Sequence, residues 1–455
     1  MEVLRECLPA SVRRTLEELP ESLDETYERI LREIKKPNRA LAQRVLQCLV
    51  VAIRPLRVAE LAEVLAVDFD DSEGIPRLNA DWRWEDQEQA LLIACSSLIA
   101  IVEAGDGDSD VETGDGNSDI VTGDSRVVHF SHFSVKEFLT SSRLSTARRE
   151  VSAYRIDLEN AHTILAQACL GVLLQMDDEI DGNTSKDHPL ARYAAEHWTT
   201  HAQLGEVSSR LKNGMECLFN PDNPHFEVWL MLYDIDTRPK YGSALFYFTP
   251  HHEDASTPLY YAALCGFHDL VEHLVDMYPQ DVNATGGYYM RPLIAALAGE
   301  HFPTADLLRH YGADPQVQGR YKCIPLHFAA NRGNFKMVQK LIEYGADIDA
   351  RDEDGWTPLT WASRGHYFKD GSALRLLLEC GADVNARADS GFTPLHQASA
   401  NGALEVVRLL LEYGADVEAV SADGKTALYV VGIFEEVDQG GGDEITKLLV
   451  EYGAK

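Results

Sequence analysis

Apolar positions recur at helical spacing along most of this chain. Leu41, Val45, Leu46, Leu49, Val50 and Ile53 predict one amphipathic helix, and Val58, Leu61 and Leu65 predict a second after the break at Arg54-Pro55. Glu85–Cys95 reads as a third. Two short apolar segments, Ser97–Glu103 and Arg126–Ser131, read as strands, and a helix follows at Val135–Ser142. Upstream, Val3, Leu4, Leu8, Val12, Leu16 and Leu19 keep helical spacing. Pro9, Pro20 and Pro37 punctuate this stretch, and Ser11 and Ser22 are candidate helix starts. Three helices with a two-stranded wing predict a winged-helix domain over 38–145. Its strands are joined by an acidic loop over 103–125, and a helical segment follows over 146–255.

In the last 200 residues the pattern repeats. Thr257-Pro258-Leu259, Arg291-Pro292-Leu293, Ile324-Pro325-Leu326-His327, Thr357-Pro358-Leu359 and Thr393-Pro394-Leu395-His396 stand 34, 33, 33 and 36 residues apart. Thr426-Ala427-Leu428 follows after 33 more. Gly-Ala-Asp closes four units, at Gly312, Gly345, Gly381 and Gly414. Proline suits the first turn of a helix, where its missing N–H is not needed. The preceding threonine can cap that helix. A second helix of the Val406-Val407-Arg408-Leu409-Leu410-Leu411 type ends on a glycine suited to a left-handed turn. Asp354-Gly355 and Asp423-Gly424 mark hairpin turns. This phrase and period resemble ankyrin repeats. The resemblance covers 256–455 and implies five to six stacked helix pairs. Repeat two departs at Arg291 and Ile294, and repeat four carries three extra residues around Tyr367–Gly371. The last unit diverges and contains Gly440-Gly441-Gly442, as a solvent-facing cap requires. The fold class expected is mainly α: winged helix and helical linker, then an ankyrin α-solenoid.

The N-terminal half carries a second resemblance. Leu8-Pro9-x-Ser11-Val12-Arg13, Leu19-Pro20-x-Ser22-Leu23 with Tyr27, Pro55-Leu56-Arg57 with Glu60-Leu61, and His132-Phe133-Ser134-Val135-Lys136-Glu137-Phe138-Leu139 resemble the stretch that follows the nucleotide-binding domain of NACHT-type, NLR-like proteins. Ala161–His201 and the region of Trp229 and Tyr233 resemble the helical linker of fungal NACHT–ankyrin proteins. The resemblance implies that 1–37 is a helical remnant of a nucleotide-dependent STAND switch. It also implies that His132 corresponds to a histidine that contacts the β-phosphate of bound ADP, a role left vestigial here. The phosphate loop Gly-x-x-x-x-Gly-Lys-Ser/Thr is missing from the sequence. Gly424-Lys425-Thr426 has Ala419 where the first glycine belongs. Either a truncated gene model or loss of the domain accounts for this, and a start in mid-pattern favours truncation.

Charge narrows the partners. The 41 Lys and Arg face 73 Asp and Glu, for a net charge of −32. The excess is spread along the chain, with 18 basic against 29 acidic residues in 1–150. That argues against nucleic acid and anionic membranes. Val58–Val67 contains Glu60 and Glu63 and no Lys or Arg, which argues against a DNA-reading helix. Eight scattered cysteines without Cys-x-x-Cys fit reduced thiols and a cytoplasmic protein. No secretory signal and no long apolar run is present.

Candidate chemistry is sparse. The near-duplicate Gly105–Thr113 and Gly114–Thr122 resembles a calcium loop in its Asp spacing, but lacks Gly at position 6 and Glu at 12. It reads as a solvated loop. His197 and His201 share a helix face, yet Trp198 stands where a zinc protease needs Glu, and no third ligand is evident. There is no Gly-x-Ser-x-Gly. His327 and His396 belong to the repeat phrase and are expected to tie neighbouring repeats together. The expected function is therefore a non-enzymatic protein-interaction module with no cofactor and no metal. The alternative is the regulatory half of a STAND switch, acting with a NACHT domain in trans.

The protein ligand is expected on the concave face, at Tyr261, Phe328, Asn331, Arg332, Trp361, Arg364, Gln397 and Asn401, and at the hairpin tips, Arg351, Trp356, Arg387 and Phe392. Aromatic and arginine side chains anchor interfaces. Trp356, Trp361 and Phe392 are equally compatible with packing between repeats. Surrounding carboxylates favour a partner of basic character. Trp361→Ala and Arg332→Ala are expected to reduce capture without unfolding the stack.

Overall fold

The computed structural model describes residues 23–69, 75–95, 97–103, 126–176, 187–236, 257–278, 281–364, 371–431 and 442–455. The chain forms two compact units, Met1–Ile235 and Asp236–Lys455. Most of the acidic loop and the first 22 residues lie outside the described residues.

In the first unit, α1 is described over Leu23–Glu33, the expected start at Ser22 lying outside the described residues, and α2 spans Arg39–Val51. Strand β1 (Leu56–Arg57) leads into α3 (Val58–Leu65). A small antiparallel pair, β2 (Val67–Asp68) with β3 (Arg77–Leu78), precedes α4 (Gln87–Cys95). The wing is β4 (Ile99–Glu103) with β5 (Arg126–Phe130), and β1 joins it in the order β1-β5-β4. Leu56 stands opposite Val128, and Val128 opposite Ile101. This is a winged helix. Its α5 spans Ser134–Thr140.

Helix α3 is interior on both faces. Its apolar Val58, Leu61, Val64 and Leu65 are buried, and so are Glu60 and Glu63. Burying a carboxylate requires a partner. Arg54 grips Glu60 through two bonds of 2.8 and 2.7 Å. Glu63 accepts from Arg83 at 2.7 Å and from the Leu190 backbone at 2.6 Å. Sequence reading used these glutamates only as an argument against a DNA-reading helix. The fold instead uses them as internal anchors. The helix before the wing is α4, which contains Glu88 and no Lys or Arg.

The linker packs into the same unit. Helix α6 (Leu158–Leu173) is capped by Asp157, whose carboxylate accepts from the Asn160 N–H at 3.0 Å. It packs against α2 and against α7 (Ala191–Ala202). Helices α8 (Lys212–Leu218) and α9 (His225–Leu232) close the unit. Trp198, Phe219, Phe226 and Trp229 form its aromatic centre, where the Trp229 indole donates to the Ala195 carbonyl at 3.0 Å.

Among the described residues the second unit contains six helix pairs. They are Pro258–Cys265 with His268–Met277, Pro292–Ala298 with Phe302–His310, Pro325–Asn331 with Phe335–Glu343, Pro358–Ala362 with Ser372–Glu379, Pro394–Ala400 with Leu404–Glu412, and Ala427–Val431 with Gly442–Glu451. Thr257, Thr357 and Thr393 cap their helices as the phrase requires. First helices pack against the next one from repeat one to two and from repeat three through six, and the first helix of repeat two meets the second helix of repeat three, so the apolar side chains of one pair are covered by its neighbours. Among the described residues no helix is long and apolar enough to cross a membrane.

Candidate interaction surface

The hairpins and first helices of the repeats fix where each candidate side chain points. His327 and His396 hold this arrangement together. The His327 Nδ1 accepts from the Ile324 N–H at 3.2 Å, and its Nε2 donates to the Trp356 carbonyl in the next hairpin at 3.0 Å. His396 repeats this, with Nδ1 accepting from Thr393 and Nε2 donating to the Lys425 carbonyl at 3.0 Å. One accepting and one donating nitrogen define a neutral ring. Burial lowers both imidazoles below the usual histidine value.

A second ladder runs along the ends of the second helices. The Asn283 side chain donates to the Gly312 carbonyl and accepts from the Asp314 N–H. Asn385 does the same with Gly414 and Asp416. Gln316 donates to Gly345. At the third junction Asp349 accepts from the Asp383 N–H at 3.0 Å, but its carboxylate has no N–H to offer Gly381. Asp349→Asn should therefore stabilise the stack by about 0.5–1.5 kcal/mol. Urea unfolding of the two proteins side by side checks this, and an unchanged or lower midpoint would refute it.

The twelve positions expected to meet a partner separate by burial. Tyr261 is 1% exposed, Phe328 5% and Trp361 5%. These three are interior, because each ring sits under neighbouring side chains of the stack. Tyr261 packs on Tyr260. Phe328 packs on Tyr288 and Tyr289. Trp361 packs on His327 and donates its indole N–H to Asp352 at 2.9 Å. Trp361→Ala is thus a stability variant and not a clean surface probe.

Arginines cover two of those rings. Arg332 lies over Tyr288, Tyr289 and Phe328 at 5.3, 5.9 and 5.1 Å. Arg364 lies over Trp361 at 4.4 Å. Both are half-buried, as are Asn331, Gln397 and Asn401. Asn401 donates to the Gln397 carbonyl at 2.9 Å. At the hairpin tips Arg351 and Arg387 are exposed but engaged. Arg351 bonds to the Arg387 carbonyl and to Asp389, and Arg387 to the Val420 carbonyl. Trp356 and Phe392 are half-buried and stack edge to face at 6.3 Å. The tips of successive repeats are therefore braced to one another.

Sequence reading missed the cleft between the second and third hairpins, walled by Tyr289, Met290, Ile294, Val317, Ile324 and Phe328. Tyr288 and Tyr289 lie outside the repeat phrase, so the period did not single them out.

In the first unit, His132 is exposed. Its Nδ1 is 2.6 Å from Ser134 Oγ, which in turn lies 2.7 Å from the Tyr27 hydroxyl. This leaves Nε2 without a hydrogen bond among the described residues. Phe133 beside it is 73% exposed. One imidazole without a phosphate loop is not a nucleotide site by itself, so the residues present do not fit ADP binding in cis. His197 and His201 share α7 as expected, and the structure adds His162 from α6. The Nδ1 atoms of His162 and His201 are 2.7 Å apart, and the Tyr193 hydroxyl lies 3.0 Å from His201 Nε2. His201 is fully buried, and among the described residues no group of three metal-ligating side chains is assembled.

Comparison with known proteins agrees with this division. Residues 293–388 match the model of ankyrin repeats in three copies, and 377–429 that of ankyrin repeats in many copies. Residues 27–107 match the winged helix domain of GPI inositol-deacylase. A curated protein from Monascus ruber, azaphilone pigments biosynthesis cluster protein L, is 31% identical over 290 residues, covering 62% of this chain and 57% of that protein. The chain thus spans a little over half the length of this relative.

Proposed function

We propose that this chain is a non-catalytic protein-interaction module whose repeat stack holds a protein ligand on its concave face, as the sensor arm of an NLR-like protein. The observation that carries the reading is the row of half-exposed polar side chains at the ends of the first helices: Asn331 and Arg332, then Arg364, then Gln397 and Asn401. The helices beneath them are fixed by buried leucines and by the His327 and His396 bridges. A rigid frame with variable polar tips favours recognition, because little side-chain entropy is lost on binding. The match to ankyrin repeats supports the same role.

A second reading is favoured by His132, held by Ser134 and Tyr27 with Nε2 open to a ligand. It makes the chain the regulatory half of a nucleotide-dependent switch, completed by a NACHT domain in trans.

One experiment addresses both. The full chain and a variant carrying Asn331→Arg, Gln397→Arg and Asn401→Arg are used to capture proteins from the host cell. Loss of a specific protein from the variant, with the thermal transition unchanged, supports the first reading. An identical captured set sinks it. A nucleotide-binding domain captured by the intact chain and lost on His132→Ala supports the second.

A further inference from the structure

We propose that the cleft between the hairpins of the second and third repeats docks an acidic peptide that carries one bulky apolar side chain. The proposal rests on the stack being a protein-binding surface, and it names the chemistry of the ligand at one place on it.

The cleft is a shallow depression, about half open to solvent, with roughly 30 Å³ of sheltered space inside it. Its walls are mostly apolar: Met290, Ile294, Val317, Ile324 and Phe328, with Tyr289. A depression with this lining covers one face of a large aliphatic or aromatic side chain and removes that face from water.

Two arginines flank it. The carboxylates of Asp281 and Asp314 act on the charge of Arg291, whereas Arg332 has no carboxylate partner among the described residues. Arg291 lines the cleft and gives its guanidinium to the carbonyls of Asn283 and Gln318. Arg332 lies on the rings of Tyr288, Tyr289 and Phe328 and donates to the Tyr288 hydroxyl. Its Nε is buried and meets no acceptor. A buried donor on a cation is costly to leave unmet. Stacking on aromatic faces has removed water from this guanidinium without neutralising it. A ligand carboxylate cannot reach the buried Nε, but the residue is only half-buried, and a carboxylate at its open edge would pair with the charge through a charge-assisted bond. Elsewhere in this strongly acidic chain, Arg54, Arg83, Arg210 and Arg351 each have a carboxylate of their own.

The backbone is also unusual here. Met290, Tyr321 and Lys322 have φ of 65°, 59° and 56°. Non-glycine residues rarely adopt this left-handed conformation, and such strain gathers at ligand clamps. Three of the four such residues among the described ones lie in the two hairpins that form the cleft. Gly319 completes the fit, since a Cβ there would stand 2.5 Å from the Met290 methyl.

The pairing of an apolar socket with an uncompensated cation selects the ligand. The net charge of −32 argues against a nucleic acid. A basic peptide would face Arg332 and Arg291. The preference for a basic partner, drawn from the acidic surroundings, is therefore reversed at this cleft.

The test pans a random-peptide display library on the full chain and on Arg332→Glu. The intact chain should enrich peptides with a large apolar residue within two positions of Asp or Glu. A labelled peptide of that set should bind Arg332→Glu and Val317→Glu at least about tenfold more weakly by fluorescence polarisation. The control Arg408→Glu, exposed on the second helix of repeat five, should bind it unchanged. If Arg332→Glu fails to fold, Arg332→Met keeps the ring contacts, removes the charge and is expected to weaken binding likewise. Enrichment of basic or acid-free peptides, no enrichment, or equal affinity for the Arg332 variants would overturn the proposal. So would a concentration-dependent dimer of the chain alone that Arg332→Glu dissolves, since the occupant would then be a second copy. If peptides bind the Arg332 variants as tightly as the intact chain, this cleft is eliminated while the stack remains a binder. If the Asn331, Gln397 and Asn401 triple variant also captures what the intact chain does, the parent reading fails with it.

Discussion

Trp361→Ala should lower the unfolding free energy of the repeat stack by about 3–5 kcal/mol. Three losses add up. The ring is 5% exposed, so its removal leaves a cavity in the fourth repeat. Its edge contact with His327, 6.2 Å between centroids, ties the third repeat to the fourth. Its indole N–H donates to Asp352 Oδ2, while Asp352 Oδ1 accepts from the N–H groups of Asp354 and Trp356 and shapes the hairpin. Without the indole, a largely buried carboxylate loses one of its three donors. Neighbouring repeats share the damage, because each pair is stabilised through its interfaces. Trp361→Phe keeps part of the packing and loses the hydrogen bond, so it should fall between the two. Urea unfolding followed by circular dichroism measures the series. A loss under about 1 kcal/mol for Trp361→Ala would mean that the ring is not a packing element.

The second large effect is a loss of stability of the N-terminal unit in acid. His201 is fully buried between α6 and α7. Burial, with His162 and His197 nearby, lowers its imidazole to about 3. The hydrogen bonds have one consistent direction. The Ile53 N–H donates to the Tyr193 oxygen, whose O–H then donates to His201 Nε2. His201 Nδ1–H in turn donates to His162 Nδ1. A proton on His201 would turn Nε2–H against the Tyr193 oxygen and place charge beside a second imidazole. The unfolded chain takes up this proton near pH 6.5 and the folded one does not. Stability is therefore intact above about pH 6.5 and is lost as the pH falls from there toward 3. This single group contributes up to about 1.4 kcal/mol per pH unit. His201→Gln removes the titration. The gap between its urea midpoint and that of the intact protein should shrink or reverse between pH 7 and 5. A constant gap would show that the ring is not held neutral.

The repeats were legible because their determinants are local. Pro258, Pro292, Pro325, Pro358 and Pro394 each start a helix at the position the phrase assigned. Gly312, Gly345, Gly381 and Gly414 each take the left-handed turn, with φ between 85° and 94°. The winged-helix elements followed from hydrophobic period, with ends within two residues. Strands β1, β2 and β3 escaped notice, since two residues have no period to read. Asp236 escaped as well. It accepts from the Tyr260 hydroxyl at 2.8 Å and so belongs to the second unit, 20 residues before the expected start at 256.

Among the candidate positions, residue type could not separate anchors from packing. Trp361 and Arg332 read alike as interface anchors. What separates them is which side chain the next hairpin covers. His162 and His201 are 39 residues apart and meet only because α6 and α7 pack together.

The sequence by itself determined the class of this protein: its period, caps and turns dictate a stack of helix pairs, and its two short apolar runs indicate a wing. Those are properties of one residue and its near neighbours. Only the tertiary structure decided which aromatics are interior, which glutamates are buried in ion pairs, and where an apolar cleft lies beside an unneutralised arginine. Each of those depends on the surface that a neighbouring repeat or helix presents, and no local pattern encodes that surface.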